Sequence, residues 1–177
     1  MKGMSGANAS AIARSHQAML LGLLVPLSMA FAAAPLAQDA VVRVTPDKLK
    51  WEAKPEDLGF SQAIVEGDPA KPGLYIIQVK FPPGVMSKPH FHGETRYGTV
   101  IKGTWYTGAG DTFDPATTIP LKPGSFMKHP AGTRHYDGAK DEEVIVQLMG
   151  MGPSTTTRLK PAEGLFGRSM PEKQIKK

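Results

Sequence analysis

The sequence contains no cysteine. That absence excludes a disulfide framework, a zinc–thiolate site and a thiol nucleophile, so stability must come from a packed core, helped by metal binding or oligomerisation. Long apolar runs are equally scarce. The one candidate, Ala18 to Ala34, is short of the about 20 residues that a bilayer span needs and is interrupted by Pro26. Lys2 and Arg14 are the only formal charges before Asp39, and the run ends in small residues, Ala30-Phe31-Ala32-Ala33-Ala34-Pro35-Leu36-Ala37. A basic start, an apolar middle and a small-residue exit make up a secretory signal peptide. Residues 1–37 are therefore read as a signal, cut between Ala33 and Ala37. No positive cluster follows to stop transfer, so no stable membrane anchor is expected. No Arg-Arg pair precedes the run, which points to the ordinary export route rather than the twin-arginine one. The expected location is periplasmic or secreted.

Charge of one sign is also less abundant than the total suggests. The 177 residues carry 21 Lys and Arg against 16 Asp and Glu. Lys2 and Arg14 leave with the signal, and the tail from Lys160 to Lys177 holds five basic and two acidic residues. The body is then near neutral, and a basic tail is a solvated end rather than a nucleic-acid patch, so no nucleic-acid partner is expected.

Helix-period segments and fixed-period repeats are missing as well. What is present reads as short strands between turns. Candidates are Val41–Val44, Ile64–Glu66, Leu74–Phe81, Thr99–Ile101, Gly103–Thr107, Ser125–Lys128 and Val144–Met149. Asp47 to Gly59 reads as a loop with a helical turn. The clusters Gly67–Gly73, Pro82-Pro83-Gly84, Gly108–Asp111 and Lys122-Pro123-Gly124 punctuate the strands. Many short strands at regular spacing predict an all-β sandwich or closed barrel. The expected organisation is a strand and loop segment at 38–72 packing on a barrel at 73–152. A C-terminal extension follows at 153–177, frayed from Pro171. Trp105, Tyr106, Phe126 and Met127 are expected in the core, while Tyr97 and Tyr136 flank the candidate site.

Three histidines carry the chemistry. His90 and His92 are two apart, so on an extended strand both imidazoles point to one face and can reach one ion at about 2.0–2.2 Å. His135 lies downstream, within reach from a facing strand; His129 precedes Pro130 near the same region. Around them the spacing is specific. Gly84 is followed by five residues and then His90-Phe91-His92, and Gly103 closes the segment seven residues after Arg96. Gly124 is followed by five residues, Pro130-Ala131-Gly132, two residues and His135.

These two segments resemble the paired motifs of the cupin superfamily, and the match spans about Gly73 to Met149. The sequences His-Phe-His-Gly-Glu-Thr-Arg and Gly-Thr-Trp-Tyr-Thr-Gly-Ala-Gly-Asp are similar to those of exported single-domain bacterial cupins. The resemblance implies a double-stranded β-helix (jelly-roll) barrel, with a homodimer through edge strands as the usual assembly. It also implies one divalent transition metal ion on His90, His92 and His135. Two departures stand out. Arg96 occupies the position of the family's metal-binding glutamate, with Tyr97 at the alternative spacing, and Ala139 replaces the final asparagine. Arginine does not ligate metals. Glu94 is the substitute carboxylate if the segment stays extended; otherwise water completes the site. Three histidines with open positions suit Fe(II), Mn, Zn, Ni or Cu. The functional expectation is a metal-dependent, dioxygenase-like oxidoreductase acting on a small organic molecule, with Glu94 and Arg96 as the catalytic polar groups. The alternatives are a non-catalytic module binding a small ligand or sugar, and a cupin isomerase or lyase.

Overall fold

The computed structural model describes residues 41–171. The expected signal peptide with its cleavage range, and the end of the tail from 172 onward, lie outside the described residues. Strands dominate. In chain order they are β1 (Glu52–Ala53), β2 (Ser61–Glu66), β3 (Gly73–Phe81), β4 (Val85–Ser87) and β5 (His90–His92). There follow β6 (Arg96–Lys102), β7 (Trp105–Ala109), β8 (Ile119–Leu121) and β9 (Phe126–His129). The chain closes with β10 (His135–Gly138), β11 (Val144–Gly152), β12 (Thr156–Arg158) and β13 (Phe166–Arg168). The only helical elements among the described residues are short 3-10 turns, each opening on a proline. No helix among them is long and apolar enough to cross a membrane.

The strands form two antiparallel sheets. One runs β1-β2-β3-β11-β6-β9; the other runs β12-β5-β10-β4-β13, with β7 beside β10 and β8 beside β7. The sheets face each other as a jelly-roll barrel, the all-β double-stranded β-helix that the sequence predicts. β3 and β11 pair along their whole length, from Val144 opposite Phe81 to Gly152 opposite Gly73. Their alternation supplies the core: Tyr75, Ile77, Val79 and Phe81 point inward from β3, and Val144, Val146 and Leu148 from β11. Each such large apolar side chain contributes about 1.5–3 kcal/mol on burial. The motif glycines Gly84, Gly103, Gly124 and Gly132 all sit at positive φ (74, 73, 86 and 74°), where other residues are strained, and so bound the strands that carry the site.

Several details differ from the sequence expectation. Val41–Val44 forms no strand; its valines are exposed, and no strand among the described residues pairs with the segment. Phe126 is not core. The β9 alternation turns Met127 and His129 inward and leaves Phe126 64% exposed, stacked on Tyr97. Tyr106 is half-buried, with the Lys140 ammonium over its ring, whereas Trp105 is fully enclosed. The segment after Gly152 supplies two sheet strands: β12 pairs with β5 and β13 with β4.

Candidate metal centre

β5 is only His90-Phe91-His92, and its period of two buries both imidazoles while Phe91 is partly exposed. β10 lies antiparallel to it with His135 directly opposite His90. That register joins the two sequence motifs. The three rings have centroid separations of 4.8 Å (His90–His92), 4.4 Å (His90–His135) and 5.2 Å (His92–His135). One ring nitrogen from each falls within 4.8 Å of the other two.

The ring orientations are fixed from behind. His90 Nδ1 lies 2.8 Å from the Lys88 carbonyl, His92 Nδ1 2.9 Å from the Thr155 carbonyl, and His135 Nδ1 2.9 Å from the Thr133 carbonyl. A carbonyl oxygen only accepts, so each Nδ1 donates its hydrogen and each Nε2 keeps its lone pair. Burial holds the pKa of His90 down to about 4 and that of His92 to about 3, the latter helped by the Arg96 charge. Both imidazoles are therefore neutral at neutral pH, the state in which histidine ligates a metal. A convergent set of imidazole nitrogens, oriented by backbone carbonyls, fits a divalent transition ion.

Two more side chains join this group. His129, on β9 of the opposite sheet, stacks on His135 with centroids 3.8 Å apart, and burial lowers its pKa to about 4. Asp137 follows His135 by two residues on β10 and so shares its face. Its Oδ2 is 3.8 Å from His135 Nε2, and His129, His135 and Asp137 form a second cluster of donors within 4.8 Å of one another. Ser87 holds Asp137 in place. Its hydroxyl lies 3.0 Å from the Asp137 carbonyl and 3.3 Å from Oδ1, and its oxygen accepts the Asp137 N–H at 2.9 Å. Burial opposes the Asp137 charge, but the surrounding imidazoles, His135 foremost, hold its pKa below the ordinary carboxylate value.

Glu94 is not brought into either cluster. Its Oε1 accepts from Arg96 Nε at 2.8 Å and from the Tyr75 hydroxyl at 2.9 Å, while Oε2 accepts from Thr155 N at 3.1 Å. Burial would raise its pKa; hydrogen bonds involving Arg96, Ser154 and Thr155 instead pull it down to about 2. The carboxylate anchors the guanidinium. Arg96 also donates to the Ser154 hydroxyl, and its NH1 reaches His92 Nε2 at 3.3 Å. Arg96 thus stands at the edge of the histidine cluster, where a ligand on His92 would displace its NH1.

The side chains of Tyr136 and Tyr97 are engaged elsewhere. Tyr136 is buried, with its hydroxyl 3.0 Å from both Thr117 Oγ1 and the Asp114 carbonyl, and Tyr97 lies on the outer face of β6. The sequence reading gave no role to Asp137, Tyr75 or Ser154. For Asp137 a signal existed, the two-residue spacing from His135 on a strand; Tyr75 and Ser154 are remote in sequence and carried none.

The histidines open on a cavity of about 680 Å³ that extends between the sheets to Phe60 and Glu52. Trp105 lines it, and its buried Nε1–H finds no acceptor among the described residues. The volume falls within the about 300–1,000 Å³ common for small-molecule sites.

No family model matches the sequence, and no curated protein does. Solved structures do share the architecture. The polyketide cyclase RemF from Streptomyces resistomycificus superposes with a TM-score of 0.57, at 16% identity over 68% of this chain and 87% of that one. A cupin-2 domain from Rhodospirillum rubrum gives 0.54, at 14% identity over 73% of this chain and 86% of that one. The DMSP lyase DddQ from Ruegeria pomeroyi gives 0.53, at 18% identity over 65% of this chain and 63% of that one. With the two facing sheets and the paired motif strands, these likenesses identify the chain as a cupin in fold.

Proposed function

We propose that this protein is a metal-dependent cupin enzyme in which His90, His92 and His135 hold one divalent transition ion and a small oxygen-bearing organic molecule occupies the barrel. The observation that carries the reading is the set of three converging imidazoles, each with Nδ1 tied to a backbone carbonyl and one ring nitrogen within 4.8 Å of the other two. An ion there supplies Lewis-acid polarisation of a substrate oxygen. The other roles belong to the protein. Arg96, oriented by Glu94 and Ser154, offers a guanidinium to an anionic group of the substrate. His129, neutral and stacked on His135, is placed to take up or return a proton. Trp105 Nε1–H has a donor to spare for a ligand oxygen. Export through the N-terminal signal, placing the enzyme in the periplasm or outside the cell, is part of the same proposal.

The polyketide cyclase and the DMSP lyase are by name a cyclase and a lyase, and proton-transfer chemistry of that kind suits the present set of groups. Dioxygenase-like chemistry is the second reading, supported by a three-histidine set that also suits Fe(II). The test is turnover of protein loaded with zinc, manganese or iron(II) on a panel of small carboxylic acids, diketones and phenolics, with an oxygen electrode in the cell. Metal-dependent product without oxygen uptake supports the lyase or cyclase reading. Oxygen uptake matched to substrate loss supports the second reading instead. Tight ligand binding without turnover under any loading would make the barrel a binding module and refute the enzyme.

A further inference from the structure

The strand beside the histidine pair, β12, brings a second arginine to the cavity. β12 runs antiparallel to β5, with Thr156 opposite His92 and Arg158 opposite His90. Residues directly opposite one another in such a pair share a face of the sheet, so Thr156 and Arg158 stand on the face that carries the imidazoles. Thr156 Oγ1 lies 3.2 Å from His92 Nδ1, in keeping with that placement. Ser154, Thr156 and Arg158 thus form a row at every second residue, and all three border the cavity.

This row has an arginine at each end. Arg96 donates to the Ser154 hydroxyl, is held by Glu94 and reaches His92. Arg158 is unpaired. Among the described residues its side chain makes no hydrogen bond or ion pair, whereas Arg96 and Arg134 hold Glu94 and Asp111. Acids are at hand, since Glu56 and Asp57 border the same cavity, yet Arg158 pairs with neither. A guanidinium presents its donors in a planar fork that suits a carboxylate. The rungs His92–Thr156 and His90–Arg158 lie about 7 Å apart, so the two cations bracket the histidines, with the Ser154 and Thr156 hydroxyls between them. An elongated ligand with an acidic group at each end fits that arrangement, and a monoacid held at Arg96 leaves Arg158 without a partner.

We propose that Arg158 is a second anion subsite and that the barrel takes a short-chain dicarboxylate, one carboxylate at Arg96 and the other at Arg158. The inference rests on the reading of the histidine-lined barrel as a small-molecule site and names the class of molecule. Arg158 is exposed at the rim, so it receives the outer end of the ligand and sets specificity rather than taking part in the chemistry.

The test is calorimetric titration of the zinc-loaded full chain with glutarate and adipate, each against its chain-matched monoacid, valerate and hexanoate. At least one diacid should bind about tenfold more tightly than its monoacid, as expected of one partly exposed, charge-assisted contact. Arg158→Gln should abolish that preference, and Arg158→Lys should keep part of it. Elemental analysis of each variant for zinc checks that the histidine cluster is intact. Equal binding of diacid and monoacid, or no binding of any of the four acids, would overturn the proposal. So would a preference that survives in Arg158→Gln, or one lost only in Lys54→Gln, which would put the second charge on the 3-10 turn at the cavity instead. All of these outcomes leave the histidine centre standing. Failure of the wild-type chain to retain zinc would overturn that centre, and the dicarboxylate proposal with it.

Discussion

Glu94→Gln is the change whose consequence the structure allows to be worked out most fully. The carboxylate accepts from Arg96 Nε at 2.8 Å, the Tyr75 hydroxyl at 2.9 Å and Thr155 N at 3.1 Å, and the paired side chains are only 10% and 11% exposed. Glutamine keeps one carbonyl oxygen for Arg96 and Tyr75 but turns an N–H toward the Thr155 amide, so that donor loses its acceptor. Replacing a charge-assisted bond by a neutral one costs about 1 kcal/mol, and the stranded amide costs about the same again. The guanidinium is also left without its counter-charge. Breaking a fully buried pair costs about 3–5 kcal/mol, and the residual exposure here brings the expected loss to about 2–3 kcal/mol. Urea unfolding of the metal-free protein at pH 7 measures it. The loss should depend on pH with a definite sign. The Glu94 pKa is held down to about 2 from 4.5, so its stabilisation is complete above about pH 4.5 and disappears as pH falls toward 2. Wild type and variant should therefore converge in acid. A loss under about 1 kcal/mol at pH 7, or a difference that persists at pH 2, would refute the reasoning.

Arg96→Leu removes the guanidinium whose NH1 lies 3.3 Å from His92 Nε2. Taking a positive charge from the edge of a cation site should raise zinc affinity by about tenfold, measured by competition with a chromophoric chelator; unchanged or weaker binding would contradict the placement. Gly108→Ala would set a Cβ 2.2 Å from the Tyr136 ring, on the strand that neighbours His135 and Asp137. It should lower stability by about 1–3 kcal/mol in thermal unfolding, and a variant as stable as the wild type would show that β7 and β10 are not packed as described.

Much of the barrel was legible because its strands obey local rules. Leu74 to Phe81 and Val144 to Met149 are β-branched, apolar runs long enough to be core strands, and they form the central pair β3 and β11. Motif glycines announced turns because few other residues accept their backbone angles. The short strands were harder. β12 and β13 follow the point where apolar content thins, and their residues pair because β5 and β4 present free edges, a property of the folded sheet rather than of the segment. Phe126 misled for the opposite reason: a large aromatic was assigned to the core, whereas alternation along β9 gives the interior to Met127 and His129. At the site, His90, His92 and His135 were named from spacing, and the structure sets them side by side. Glu94 was weighed by distance along the chain alone, and distance could not foresee that Tyr75, from β3, and Thr155, beside β12, would meet it. Asp137 went unassigned because its charge only becomes conspicuous once the barrel has buried it.

The central claim is that three histidines from two motif strands form one metal centre. Elemental analysis of the purified full chain, dialysed against zinc and then against buffer, tests it most directly, alongside His92→Ala and His135→Ala treated in the same way. The account predicts one divalent ion per wild-type chain and loss of that ion in both variants, each still folded by circular dichroism. Metal retained in full by either variant would contradict it.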